Sequence, residues 1–138
     1  MTSGKSILFH NHHVHYSVSG QGPAVMLIHG FGEDGNIWNA LTRHLNSNYK
    51  FIIPHLPGSG PSELAENEKP DLNILAECIR CILEEEKESS CVMAGHSMGG
   101  YITLAFAEKY KAALKAIGLI HSSSFADSEE KINSRKKS

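Results

Sequence analysis

The residues best suited to chemistry are Gly95-His96-Ser97-Met98-Gly99-Gly100. They follow a short apolar run, Cys91–Ala94, and precede a stretch with helical character, Met98 to Lys111. Between a strand and a helix, G-x-S-x-G makes a sharp turn with the serine hydroxyl exposed at its apex. Glycines around the serine relieve backbone crowding because they carry no Cβ. A serine held this way can attack an acyl carbon when a base takes its proton. The following helix directs its N-terminal amides and positive dipole end at the same point, so the Met98 N–H is a natural donor to a developing oxyanion. A second donor is expected from Ile28-His29-Gly30-Phe31-Gly32, which follows another apolar run, Ala24–Ile28. The Phe31 N–H is the candidate there. His29, Gly30 and Gly32 shape that loop, as Gly95, His96 and Gly99 shape the turn around Ser97. For scale, a single pre-organised oxyanion donor contributes about 2.7–4 kcal/mol elsewhere.

These loops need strands and helices to position them. Ile7–Phe9 and Val14–Val18 read as a hairpin, with His10-Asn11-His12-His13 as its turn. Ser19-Gly20-Gln21-Gly22-Pro23 breaks the chain. Ala24–Ile28 is continuously apolar, the pattern of a strand buried on both faces. Ile37 to Leu45 has helical spacing, with Ile37, Leu41 and Leu45 on one side, and Tyr49–Ile53 is a further strand. Pro57 to Pro70 is loop. Asp71 caps a helix whose apolar positions are Leu72, Leu75, Ile79 and Ile82/Leu83. Cys91–Ala94 and Ala116–Ile120 are strands on either side of the Met98–Lys111 helix. Strands alternating with helices predict an α/β fold, a mostly parallel sheet with helices on both faces. Residues 1–124 form this core. Phe125 to Ser138 is polar and mixed in charge, the start of a helix capped by Asp127 or Ser128, or a disordered tail.

The chain has 138 residues, enough for one domain with a core of its own. Hydrophobic residues are 41% and formal net charge is -2, so there is no basic footprint for nucleic acid or an anionic membrane. No apolar run reaches the ~20 residues of a membrane span, and Met1 to Asn11 lacks a signal-peptide pattern. A cytoplasmic location is the default expectation. Three cysteines do not make a disulfide framework. Cys78 and Cys81 have C-x-x-C spacing but fall inside a helix, where buried side chains on its inner face are the simpler reading. Cys91 reads as strand core, and Trp38 and Phe106 as core or pocket wall. His10, His12, His13 and His15 suggest a metal at first sight, yet no third ligand is evident on the face shared by His13 and His15, so no metal site is expected. No phosphate-binding glycine loop or Walker lysine is present, and no cofactor is implied.

Taken together, His29–Gly32 (HGFG), His55–Ser62 (HLPGSGPS) and Gly95–Gly100 (GHSMGG) resemble the α/β-hydrolase fold family, in its serine esterase-like branch. The middle motif is similar to the family's D-x-P-G-x-G-x-S loop, with His55 where Asp is usual, so different hydrogen bonding is expected there. The resemblance covers essentially the whole chain. It implies a serine hydrolase of carboxylic esters or related acyl compounds, with Ser97 as nucleophile and the Phe31 and Met98 amides as oxyanion hole. A serine at the elbow argues against the branches that use Asp there.

In the family the acid and then the histidine follow later strands. The resemblance therefore matches the N-terminal half, truncated after about the sixth strand at the start of the lid, with acid and base missing. His121 and Ser122, after that strand, are expected to line the pocket; for His121, lining the pocket or bonding locally is the favoured reading over a surrogate base. The sixth strand is expected to be an exposed apolar edge, Ile117 to Ile120. Such an edge invites a homodimer, a strand-swapped assembly or a second polypeptide that completes the sheet. The alternative to an enzyme is a non-catalytic α/β-hydrolase-like module, a binding or assembly partner.

Overall fold

A computed structural model describes residues 2–45 and 48–122 of the chain. The expected helix or tail over 125–138 lies outside the described residues. The described residues form one six-stranded sheet with the order β1-β2-β4-β3-β5-β6. The strands are β1 Thr2–Phe9, β2 His12–Ser19, β3 Ala24–Ile28, β4 Lys50–Pro54, β5 Cys91–His96 and β6 Leu114–Ile120. The helices are α1 Asn39–His44, α2 Leu72–Glu85 and α3 Met98–Lys109, with short 3-10 turns at Gly35–Trp38 and Lys111–Ala113. β1 and β2 run antiparallel, as do β2 and β4; the β4, β3, β5 and β6 pairings are parallel. No helix among the described residues is long and apolar enough to cross a membrane.

The hairpin is longer than its apolar residues suggest. Phe9 pairs with His12, leaving a two-residue turn, His10-Asn11, with φ of 47° and 65°. Two positive φ values match the twist of the flanking strands, which is why short hairpins favour them. Thr2 to Ser6 are exposed and polar, so backbone pairing rather than burial makes them strand, and no hydrophobic pattern marks it.

The β3 run is continuously apolar because its two faces enter two cores. Met26 and Ile28 pack in the larger core, which holds Ile79, Ile82 and Leu83 of α2 and Ile102 and Phe106 of α3. Leu27 joins Trp38, Phe51 and Ile53 on the other face. Asp71 caps α2 as expected, its carboxylate accepting the Ile74 N–H at 2.8 Å.

The segment from Ile37 to Leu45 departs from expectation. A 3-10 turn precedes α1, so Ile37 does not continue the winding that carries Leu41. Trp38 is the side chain turned inward, while Ile37, Leu41 and Leu45 remain 40%, 41% and 43% exposed. Both faces of the sheet carry helical turns, as expected, but α1 itself contributes no buried residue.

Topology fixes where a site can form. After β3 the chain crosses to β4 on one side, and after β5 it crosses to β6 on the other. The loops leaving β3 and β5 therefore diverge, and a crevice opens at the carboxyl ends of these adjacent strands. His29–Gly32 and the turn around Ser97 both lie there.

Candidate active site

Ser97 sits between β5 and α3 with φ 54° and ψ -117°, outside the regions that L-residues prefer. Strain of this kind costs about 1–3 kcal/mol and persists only where the surroundings over-determine it. Backbone bonds do so here. The Ser97 N–H donates to the Ile120 carbonyl at 3.1 Å, and the Ser97 carbonyl accepts the Gly100 N–H at 2.9 Å. The Ser122 hydroxyl donates to the same carbonyl at 2.8 Å. A Cβ on Gly95 would collide with the Gly99 carbonyl, and one on Gly99 with the carbonyls of Ile28 and His29. These two glycines let α3 start directly against β3 and β5, which explains the motif physically.

The loop after β3 is held by side chains. His29 is fully buried. Its Nε2 accepts the Leu56 N–H at 3.0 Å, so Nδ1 carries the proton and donates to the Gly30 carbonyl at 2.9 Å. This network assigns the neutral tautomer. Burial also pushes the His29 pKa below its ordinary value. His29 thus ties this loop to the loop after β4, a role its position in the HGFG motif did not reveal. Gly30 C=O and Phe31 N–H share one planar trans peptide, so fixing the carbonyl orients the amide on the opposite side. No group among the described residues accepts the Phe31 or the Met98 N–H.

Glu33 is the residue sequence reasoning missed. Its Oε1 accepts the Gly30 N–H at 2.8 Å and lies 2.8 Å from His96 Nδ1. It is a turn residue three positions after Gly30, and nothing in the pattern points to a partner 63 residues on. The His96 ring also meets the His121 ring edge-on, with centroids 5.9 Å apart. Among the described residues no histidine is hydrogen-bonded to the Ser97 hydroxyl.

His55, where the family's loop usually has Asp, serves as an acceptor. Its Nδ1 accepts the Gly35 N–H at 3.1 Å, and burial lowers its pKa. Ser62 pins the end of the same loop, donating to the His55 carbonyl at 2.6 Å and accepting the His15 N–H at 2.8 Å. A cleft of about 860 Å³ opens beside the site, with Gly30, Phe31, Met98, Leu56, Leu64 and Pro70 among its walls. Phe31 is 51% exposed on it. Ser97, His121 and Ser122 are not among its walls. The thiols lie elsewhere: Cys78 and Cys91 are buried, with burial raising them to about 12 and about 11, and Cys81 is half-buried rather than fully inside.

Residues 23–137 match the family model described as alpha/beta hydrolase fold. The chain belongs to this family. Among relatives, it is 35% identical over 104 residues to the pimeloyl-[acyl-carrier protein] methyl ester esterase of Aeromonas hydrophila, covering 75% of this chain and 39% of that protein. It is 31% identical over 86 residues to the magnesium-chelatase 30 kDa subunit of Rhodobacter capsulatus, covering 62% of this chain and 30% of that one. A solved structure of a thermophilic esterase from Thermogutta terrifontis superposes with a TM-score of 0.86 at 26% identity, over 98% of this chain and 51% of that one. The matched part thus spans 30% to 51% of the length of these proteins.

Proposed function

We propose that this chain carries the nucleophile half of a serine hydrolase acting on carboxylic esters or related acyl compounds. The observation that carries this reading is the coincidence of a strained, half-buried Ser97 at the elbow with two N–H groups, Phe31 and Met98, that have no acceptor among the described residues. Ser97 Oγ attacks the carbonyl carbon, and its proton passes to a base. The carbonyl oxygen, now an oxyanion, takes the Phe31 and Met98 amides as donors. Collapse of the tetrahedral intermediate expels the alcohol, and water then releases the acid and returns Ser97. Apolar side chains on the cleft, Leu56, Leu64 and Pro70, suit an acyl or alcohol group, beside the charged Glu33, Asp34, Glu68 and Lys69 that also line it. The esterase names of the relatives support the reaction class.

As the family resemblance implies, the general base and its acid are proposed to come from outside the described residues. The proposed partner of β6 is a strand that completes the sheet, from a second copy or a further polypeptide. β6 lies at one end of the sheet among the described residues and leaves Ile117 and Ile120 exposed. If a second copy supplies it, light scattering detects a dimer that Ile117→Lys weakens; a monomer at all concentrations removes self-association from the proposal.

The function is tested by intact-mass analysis after incubation with a fluorophosphonate. One adduct on the chain, absent in Ser97→Ala, is the expected result when a base is supplied. No adduct with any completing partner would overturn the reading and leave a non-catalytic module.

A further inference from the structure

We propose that Glu33 is the positioning residue of this site: one carboxylate oxygen ties the loop after β3 to the elbow through Gly30 and His96. The proposal rests on the reading of Phe31 N–H as an oxyanion donor. The tie is compact. Glu33 Oε1 accepts the Gly30 N–H and the His96 Nδ1–H, both at 2.8 Å, and the Glu33 N–H donates back to the Gly30 carbonyl at 3.3 Å. A Cβ on Gly30 would stand 2.7 Å from that oxygen and 3.1 Å from Ser97 Cβ. The carboxylate therefore sits over Gly30, at the point where the two loops touch.

Apart from close backbone packing of Gly30 on His96 and of His29 on Gly99, little else holds the loop relative to Ser97. A Cβ on Gly32 would meet nothing within 4 Å, and its φ of 74° is a conformation other residues resist. The Phe31 side chain is half exposed. His29 orients the Gly30–Phe31 peptide, but its other bond runs to Leu56, away from the elbow. Glu33 makes the side-chain hydrogen bond that joins this loop to β5, through a histidine one residue before Ser97. It also occupies the Gly30 N–H, while the adjacent Phe31 N–H has no acceptor among the described residues. Two chemically different donors meeting on one oxygen require an acceptor there, and they do not require its charge. Glutamine keeps that acceptor and alanine removes it.

The test uses 15N-labelled full chain with Glu33→Ala, Glu33→Gln and His96→Ala. Expected for Glu33→Ala are Gly30 amide exchange faster by about tenfold or more, a lower order parameter at Phe31, and loss of the His96 Nδ1–H resonance, with α2 amides unchanged. Glu33→Gln should restore Gly30 protection to within about threefold of wild type. His96→Ala should loosen Phe31 while sparing Gly30 protection. Phe31 order unchanged in Glu33→Ala overturns the proposal. So does Glu33→Gln as loose as Glu33→Ala, since the shared acceptor would then not be what holds the loop. These amides report independently of the fluorophosphonate adduct, so failure of the nucleophile reading and failure of the tie are separately visible.

Discussion

The loop after β3 and the elbow after β5 end within contact of each other, yet they are shaped by different forces. At the elbow, backbone packs on backbone. Gly95 and Gly99 have no room for a Cβ, and Ser97 is held at φ 54° by amide and carbonyl bonds to Ile120 and Gly100. In the loop after β3, side chains from distant positions supply the bonds: His29 to Leu56, and Glu33 to His96. Backbone packing tolerates no added atom, whereas side-chain bonds can be exchanged for chemical equivalents. The comparison teaches which half of the site is intolerant of substitution and which can be retuned.

The largest effect is expected where backbone meets backbone. Gly99→Ala places a Cβ inside the carbonyls of Ile28 and His29, and should cost about 3 kcal/mol or more in urea unfolding. A loss under about 1 kcal/mol would break the contrast, because the elbow would then be free to move aside. Next comes His29→Ala, which strips the buried Leu56 N–H of its acceptor and leaves a hole, for about 2–3 kcal/mol. His29→Gln offers an amide acceptor and should recover part of that loss if bonding, rather than ring packing, is what the loop needs.

A smaller effect follows from pH. Burial lowers the folded pKa of His29 and of His55 below 6.5, so between those values the unfolded chain binds more protons. Their contribution to stability is complete above about pH 6.5 and is lost as pH falls below it. Thermal melts should show Tm falling from pH 7 toward pH 5, more gently in His55→Asn, which keeps an acceptor for Gly35. A slope unchanged in that variant would remove His55 from the account. The smallest effect is a gain. Ser97→Gly relieves the positive φ and should stabilise the fold by about 1 kcal/mol, net of the entropy glycine adds to the unfolded chain. No gain would mean that the elbow is unstrained.

Much of this was legible beforehand because the signals are local. The continuous apolar run of β3, the Asp71 cap of α2 and the G-x-S-x-G turn depend on neighbours within a few residues. Where the physical cause was remote, the pattern misled or was silent. Ile37, Leu41 and Leu45 had helical spacing, but a 3-10 turn gave the inward position to Trp38, which fits against Leu27, Phe51 and Ile53. The polar half of β1 is strand because β2 pairs with it, which no burial pattern can announce. His55 could be seen as a departure from the family's loop, but only its bond with Gly35 showed how the loop accommodates it.

From the amino-acid order alone came the alternation of strands and helices, the family, and candidate residues for chemistry. The alternation follows from hydrophobic periodicity and the elbow from glycines that a tight turn requires, while the family follows from the resemblance of three motifs. The tertiary structure decided that His29 is a neutral buried tie, that Glu33 joins the two loops at Ser97, and that one apolar side of α1 faces outward. Each depends on a partner tens of residues away or on which face of the sheet is covered, and side-chain bonds across that distance carry no periodicity to read.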